Sequence, residues 1–97
     1  MRVISRKKLL DFWRRHPDVE EPLKAWYAEA KHSKWKAPDD IKQRYLSADM
    51  LPDNRIVFNI KGDHYRLVVK INYSIGIVYI RFIGTHTEYD RIDAVKI

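Results

Sequence analysis

The spacing of apolar residues changes once along the chain, from a helical period to a period of two, and the change falls near Asn54. Before it, Leu9, Leu10, Phe12 and Trp13 fall at i, i+3 and i+4, with Arg6, Lys7, Lys8, Arg14 and Arg15 on the other faces. That is the stripe of an amphipathic helix. Ser5 is a good N-cap, and His16-Pro17 is a natural stop, because proline disfavours helical geometry in the residue before it. The spacing therefore predicts a helix over residues 5–16. A second is expected over 18–34, capped by Asp18, with Glu20 and Glu21 suiting the dipole of its first turn and Pro22 early enough to be tolerated. Leu23, Trp26, Tyr27 and Ala30 form its apolar stripe. Pro38 to Tyr45 reads as a short helical turn leading into a loop through Asp53-Asn54, and Arg2-Val3-Ile4 reads as an edge strand.

After Asn54, Ile56, Phe58 and Ile60 alternate with Arg55, Val57 and Asn59. Tyr65, Leu67, Val69, Ile71 and Tyr73 then alternate with His64, Arg66, Val68, Lys70 and Asn72, and Ile77 to Ile83 is apolar apart from Arg81. Lys61-Gly62-Asp63 and Ser74-Ile75-Gly76 are the turns. Period-two segments joined by tight turns predict an antiparallel meander over residues 55–83, with Arg2-Val3-Ile4 pairing to one of its strands. A three-stranded sheet cannot bury itself, so one face must take the helices. The other, bearing Arg66, Val68, Lys70 and Asn72, is expected to be wet, positively charged and available. The class is α+β, with N-terminal helices packed on one face of a small antiparallel sheet.

Ninety-seven residues, 33% of them charged and only three glycines, suit one compact domain spanning 1–97. The net charge of +6 suggests a polyanionic partner. Cysteine is absent, which excludes disulfides, thiolate metal sites and a thiol nucleophile. The N-terminus turns basic before any apolar run develops, and no segment approaches the roughly 18 apolar residues of a membrane span. A cytoplasmic protein with no membrane partner is the expectation.

The chemistry-bearing residues collect in the second half. Arg66 and Lys70 are four apart on one strand, hence on one face and about 13 Å apart at roughly 3.3 Å per residue. That spacing suits successive phosphates of an RNA strand, although an ordinary solvated face with long side chains over apolar neighbours explains the same pattern. Arg81 argues for function, since a charge inside an apolar strand is unfavourable unless it is paired or used. His86, just beyond the last strand, is the natural proton carrier, with Tyr89 beside it. Lys61, His64, Asn59 and Asn72 are candidates for further RNA contact. No metal-ligand spacing, glycine-rich phosphate loop or paired-carboxylate constellation is present, so neither metal nor cofactor is expected. Metal-free RNA cleavage fits these residues best: the RNA 2′-hydroxyl is the nucleophile, and the protein need supply only a base, an acid and cations. His86, Arg81, Arg66, Lys70 and Tyr89 are the catalytic candidates. The competing class is a non-catalytic RNA- or protein-binding module using the same basic face.

Several blocks together resemble the HigB family of bacterial toxins: Val57-Phe58-Asn59-Ile60-Lys61-Gly62, Tyr65-Arg66-Leu67-Val68, Ile71-Asn72-Tyr73, and Tyr79 through Asp90. The opening Arg2-Val3-Ile4-Ser5 and the Trp35-Lys36-x-Pro38 break fit as well. The family is similar to the RelE superfamily of mRNA interferases, with helices on one side of an antiparallel sheet. The resemblance implies mRNA cleavage, usually at the ribosome, and neutralisation by a HigA antitoxin with a helix-turn-helix domain. Operator DNA would be reached only through that antitoxin. RelE-like enzymes differ in catalytic residues, some using arginine and lysine where others use histidine, so proton roles do not carry over with the fold.

Overall fold

A computed structural model describes residues 1–97. The order is β1 (Arg2–Ile4), α1 (Lys7–Arg15), a 3₁₀ turn (Pro17–Val19), α2 (Glu20–His32), α3 (Pro38–Arg44), β2 (Asp49–Leu51), β3 (Arg55–Ile60), β4 (Tyr65–Asn72), β5 (Ile77–Thr85) and α4 (His86–Tyr89). The strands form one sheet in the order β1-β5-β4-β3-β2. All neighbours are antiparallel except β1, which runs parallel to β5 with Arg2 opposite Ile77 and Ile4 opposite Tyr79. The sheet is therefore mixed rather than wholly antiparallel, and it has two edge strands of three residues each. The β2 segment lies in what the sequence presents as loop. Its Asp-Met-Leu is too short to show a period, and only pairing with β3 makes it a strand.

Helix ends differ from expectation for identifiable reasons. Ser5 does not cap α1: its backbone is left-handed (φ +73°), and Arg6 occupies the cap position without a side-chain bond. Asp18 does not cap α2 either. It sits in the 3₁₀ turn, and its carboxylate accepts bonds from the Tyr65 hydroxyl (2.8 Å) and the Lys61 ammonium (2.8 Å). Tertiary partners have won it over from the local cap.

The helices cover the sheet face that bears Ile56, Phe58, Ile60, Leu67, Val69, Ile71, Val78 and Ile80. Leu9, Phe12, Trp13, Leu23, Trp26 and Ala30 meet them from α1 and α2, in one continuous core. Period-two alternation puts Arg55, Val57, Asn59, Arg66, Val68, Lys70 and Asn72 on the opposite face. That face is not uniformly wet. After α4 the chain turns back over it, and Val57, Val68 and Ala94 make a second small core with Leu51, Phe82, Tyr89, Ile92 and Ile97. Val68 is fully buried. An alternating strand announces two faces, but not that residues 90–97 fold onto the second.

The β4–β5 ladder slips between Val68 and Val69: Val68 lies opposite Phe82 and Val69 opposite Ile80, so Arg81 has no partner. Arg81 is the extra residue of a β-bulge, which re-aims a side chain and bends the strand. It is exposed. The expected penalty for a charge within an apolar strand is avoided by the bulge. No helix of the protein is long and apolar enough to cross a membrane.

Candidate active site

The pairing register arranges the face opposite the helices in cross-strand rows. Asn59, Arg66 and Gly84 form one row, Val57, Val68 and Phe82 the next, and Arg55, Lys70 and Tyr79 the third. The apolar middle row lies under the C-terminal segment, so the polar residues are divided into two groups.

The first group lies where β5 passes into α4. Thr85 and Glu88 form a full capping box: the Thr85 hydroxyl accepts from the Glu88 amide (3.1 Å), and the Glu88 carboxylate accepts from the Thr85 amide (2.8 Å). The Thr85 amide bond, foremost, holds the Glu88 carboxyl below its ordinary range. This box fixes the direction in which His86 leaves the strand. The His86 amide donates to the His64 carbonyl (3.1 Å), so the two histidines share one end of the sheet. The exposed His86 imidazole places Nε2 3.5 Å from an Asp90 carboxylate oxygen. Arg66 stacks its guanidinium 6.0 Å from the centre of the Tyr89 ring and donates to the Asp63 carbonyl (2.7 Å). Tyr89 is half-buried, and desolvation raises its phenol pKa, with Asp49 adding to the rise. Gly84 is what lets this end close up. A Cβ there would run into the Phe82 ring and come within 3.2 Å of the Glu88 Cβ.

The second group lines an open basin of about 550 Å³ that includes Asn54, Lys70, Asn72, Tyr79 and Arg81. The Arg81 guanidinium lies 5.5 Å from the Tyr79 ring centre. Lys70 donates to Asp53 (2.9 Å), and the same carboxylate oxygen accepts from Arg55 (2.9 Å). Those two bonds, Lys70 first, keep the Asp53 carboxyl below its ordinary range. Arg55 is buried and also donates to the Ile97 carbonyl oxygen (2.7 Å), tying the C-terminal segment to the sheet.

Arg66, Tyr89, His64 and His86 thus share one end, while Lys70, Arg81 and Asn72 share the basin. Arg81 and His86 are five residues apart on an extended chain, roughly 16 Å at 3.3 Å per residue, so the two groups are separate places on one face. Asn59 faces Arg66 in its row but spends its amide on the Ser47 carbonyl (2.9 Å). Lys61 pairs with Asp18, drawn toward the helices rather than toward the basic face. Sequence reasoning missed Arg55, Asp53 and Tyr79. Arg55 and Tyr79 were legible in principle, since alternation puts both on the basic face. Asp53 needs the fold, because only the register brings residue 53 beside residue 70.

The family model that matches the chain, over residues 19–92, is the HigB toxin, described as the RelE-like toxic component of a toxin-antitoxin system. The mRNA interferase toxin HigB of Escherichia coli strain K12 is 31% identical over 97 aligned residues, covering 98% of this chain and 93% of that protein. The mRNA interferase HigB of Shigella flexneri aligns with the same figures. That of Escherichia coli O6:H1 is 21% identical over 94 residues, covering 95% and 91%.

Proposed function

The chain belongs to the HigB family of RelE-like toxins, and from that premise we propose that the sheet face opposite the helices is where it cuts RNA. It is the toxic component of a toxin-antitoxin system and an endoribonuclease, with messenger RNA as substrate and an antitoxin as partner. On our reading the cut is made on the translating ribosome, and a HigA-type antitoxin with a helix-turn-helix domain silences it. The net charge of +6 suits both a ribosomal RNA environment and an acidic antitoxin surface.

Three cations on one sheet face, Arg66, Lys70 and Arg81, are the observation that carries the reading. Cleavage by the RNA's own 2′-hydroxyl asks little covalent chemistry of the protein. A base removes the hydroxyl proton, the oxygen attacks the adjacent phosphorus, cations stabilise the crowded phosphorane, and an acid protonates the departing 5′-oxygen. We assign the chemistry to the α4 end. There His86 is the base, oriented by Asp90, Arg66 meets the phosphorane charge, and Tyr89 stacks a base or protonates the leaving oxygen. Arg81, roughly 16 Å along the strand from His86, and Lys70 beyond it hold phosphates farther along the RNA in the basin. His64 and Asn72 flank these two places and extend the contact with RNA.

End-group analysis of a cleaved transcript tests the chemistry. The expected products are a 2′,3′-cyclic phosphate, or the 3′-phosphate from its hydrolysis, and a 5′-hydroxyl, formed equally well in EDTA. A 5′-phosphate would overturn the 2′-hydroxyl mechanism, and RNA bound but uncut would overturn catalysis itself. Arg66→Ala should slow the chemical step on the order of 100-fold, equivalent to about 3 kcal/mol, with Arg66→Lys only partly restoring it. His86→Ala should fall within roughly 100- to 10,000-fold. Arg81→Ala and Lys70→Ala should act mainly on KM.

A further inference from the structure

We infer that the RNA track does not end at the basic sheet face but crosses the bare edge of β5 at Arg81 and continues along the basic stripe of α1. The inference rests on the reading of that face as an RNA site and extends it to a second surface.

Three observations carry it. First, β1 pairs with β5 only from Ile77 to Tyr79, so from Ile80 onward this edge of β5 has no strand beside it, and α1 stands there instead. Second, a cleft of about 250 Å³ opens between α1 and that edge, lined by Lys8, Asp11, Arg15, Arg81 and Phe82 among others. Arg81 also lines the basin on the sheet face, so its guanidinium stands at the junction of the two depressions. The bulge that leaves Arg81 unpaired is what puts it there. Third, Lys8 and Arg15 are exposed and take part in no ion pair, whereas Lys70 and Lys61 are held by carboxylates. Lys8 and Arg15 are seven residues apart on the helix, two turns and roughly 10 Å along its axis, on one stripe. Asp11 lies between them as the one carboxylate in the cleft, and its charge is met by Lys7 (2.8 Å).

A chain of cations spaced along a groove, with Phe82 exposing part of its ring between them, is the arrangement that follows a single-stranded phosphate backbone. Continuity through Arg81 assigns the α1 cleft to the same strand that occupies the basin, not to a separate partner. Lys8 and Arg15 would hold phosphates several nucleotides from the cut.

Binding of 2′-O-methyl RNA tests this without cleavage, since such RNA lacks the nucleophile. A trimer fills the sheet face alone, and a dodecamer reaches α1. The full-length protein carrying Lys8→Glu and Arg15→Glu should bind the trimer as wild type does. It should bind the dodecamer at least tenfold more weakly, and the slope of log affinity against log salt should fall by about 1.4, at roughly 0.7 per lost single-strand phosphate contact. Both substitutions are on exposed positions, and thermal melting verifies that the fold is kept. Undiminished dodecamer binding by the variant would overturn the α1 track while leaving the sheet-face site standing. Equal losses on trimer and dodecamer would also overturn it, as a general charge effect. Wild-type protein binding neither oligomer would overturn the sheet-face reading, and the track with it.

Discussion

At the residue scale, the site is shaped as much by what crowds each side chain as by its charge. Gly84 has no tolerance for a side chain, because the Phe82 ring already occupies the space a Cβ would need. Gly84→Ala should therefore lower stability by about 1–3 kcal/mol, the usual range for forced overpacking, and calorimetry would show the drop in Tm. Asp53 has opposite effects on stability and on binding. It holds both the buried Arg55 and the basin's Lys70. Asp53→Asn should lower Tm, as the buried Arg55 guanidinium loses a charged partner. The same change should tighten RNA binding, because a carboxylate is removed from a basin meant for phosphates. Tighter binding without loss of stability, or the reverse, would show that the two roles reside elsewhere.

At the element scale, α4 is only four residues long and is held by its capping box rather than by length. The Glu88 carboxyl has a folded pKa below its unfolded one. Its stabilising contribution is thus complete above the unfolded value of about 4.3 and is lost as pH falls through the lower folded value. Protection of the Glu88 and Tyr89 amides against exchange, relative to the intrinsic rate at each pH, should fall as pH drops below the ordinary glutamate range, and Glu88→Ala should produce the same loss of protection at neutral pH. If Glu88→Ala left exchange unchanged, something other than the cap would be holding α4. The elements also show what sequence reading can reach. The two-residue period of β3 and β4, the apolar run of β5, the helices α1 to α3 and the edge position of β1 were all legible, because each leaves a pattern within its own residues. The strand β2, the bulge at Arg81 and the uses of Ser5 and Asp18 were not. Each is decided by a neighbour distant in sequence: β3 for β2, β4 for the bulge, Tyr65 and Lys61 for Asp18. The candidate cations were found on the right face, but their division into two groups is imposed by residues 90–97, whose apolar Ile92, Ala94 and Ile97 are too few to show a period.

At the scale of the whole molecule, the sheet separates two cores of very different size. Nineteen buried residues lie on the helix side and three on the other. The smaller core is closed by Tyr89, Ile92, Ala94 and Ile97 and by the Arg55 bond to the Ile97 carbonyl. A segment with so little apolar burial opens at a lower free energy than the sheet beneath it, so residues 90–97 should exchange their amides well before β4 does. Leu67 and Val68 are adjacent on β4, both fully buried, and report on the two cores separately. Leu67→Ala should remove about 2–5 kcal/mol from global stability. Ala94→Asp places a charge in the small core, and the C-terminal segment can escape that penalty by lifting off rather than by unfolding the protein. It should therefore shift the urea midpoint much less than Leu67→Ala does. It should nonetheless abolish most RNA cleavage, because Tyr89 and the tether at Arg55 lose their positions together. A midpoint shift as large as that of Leu67→Ala would mean that the two cores melt as one unit. Unimpaired cleavage by Ala94→Asp would mean that the segment covers the sheet without organising its chemistry.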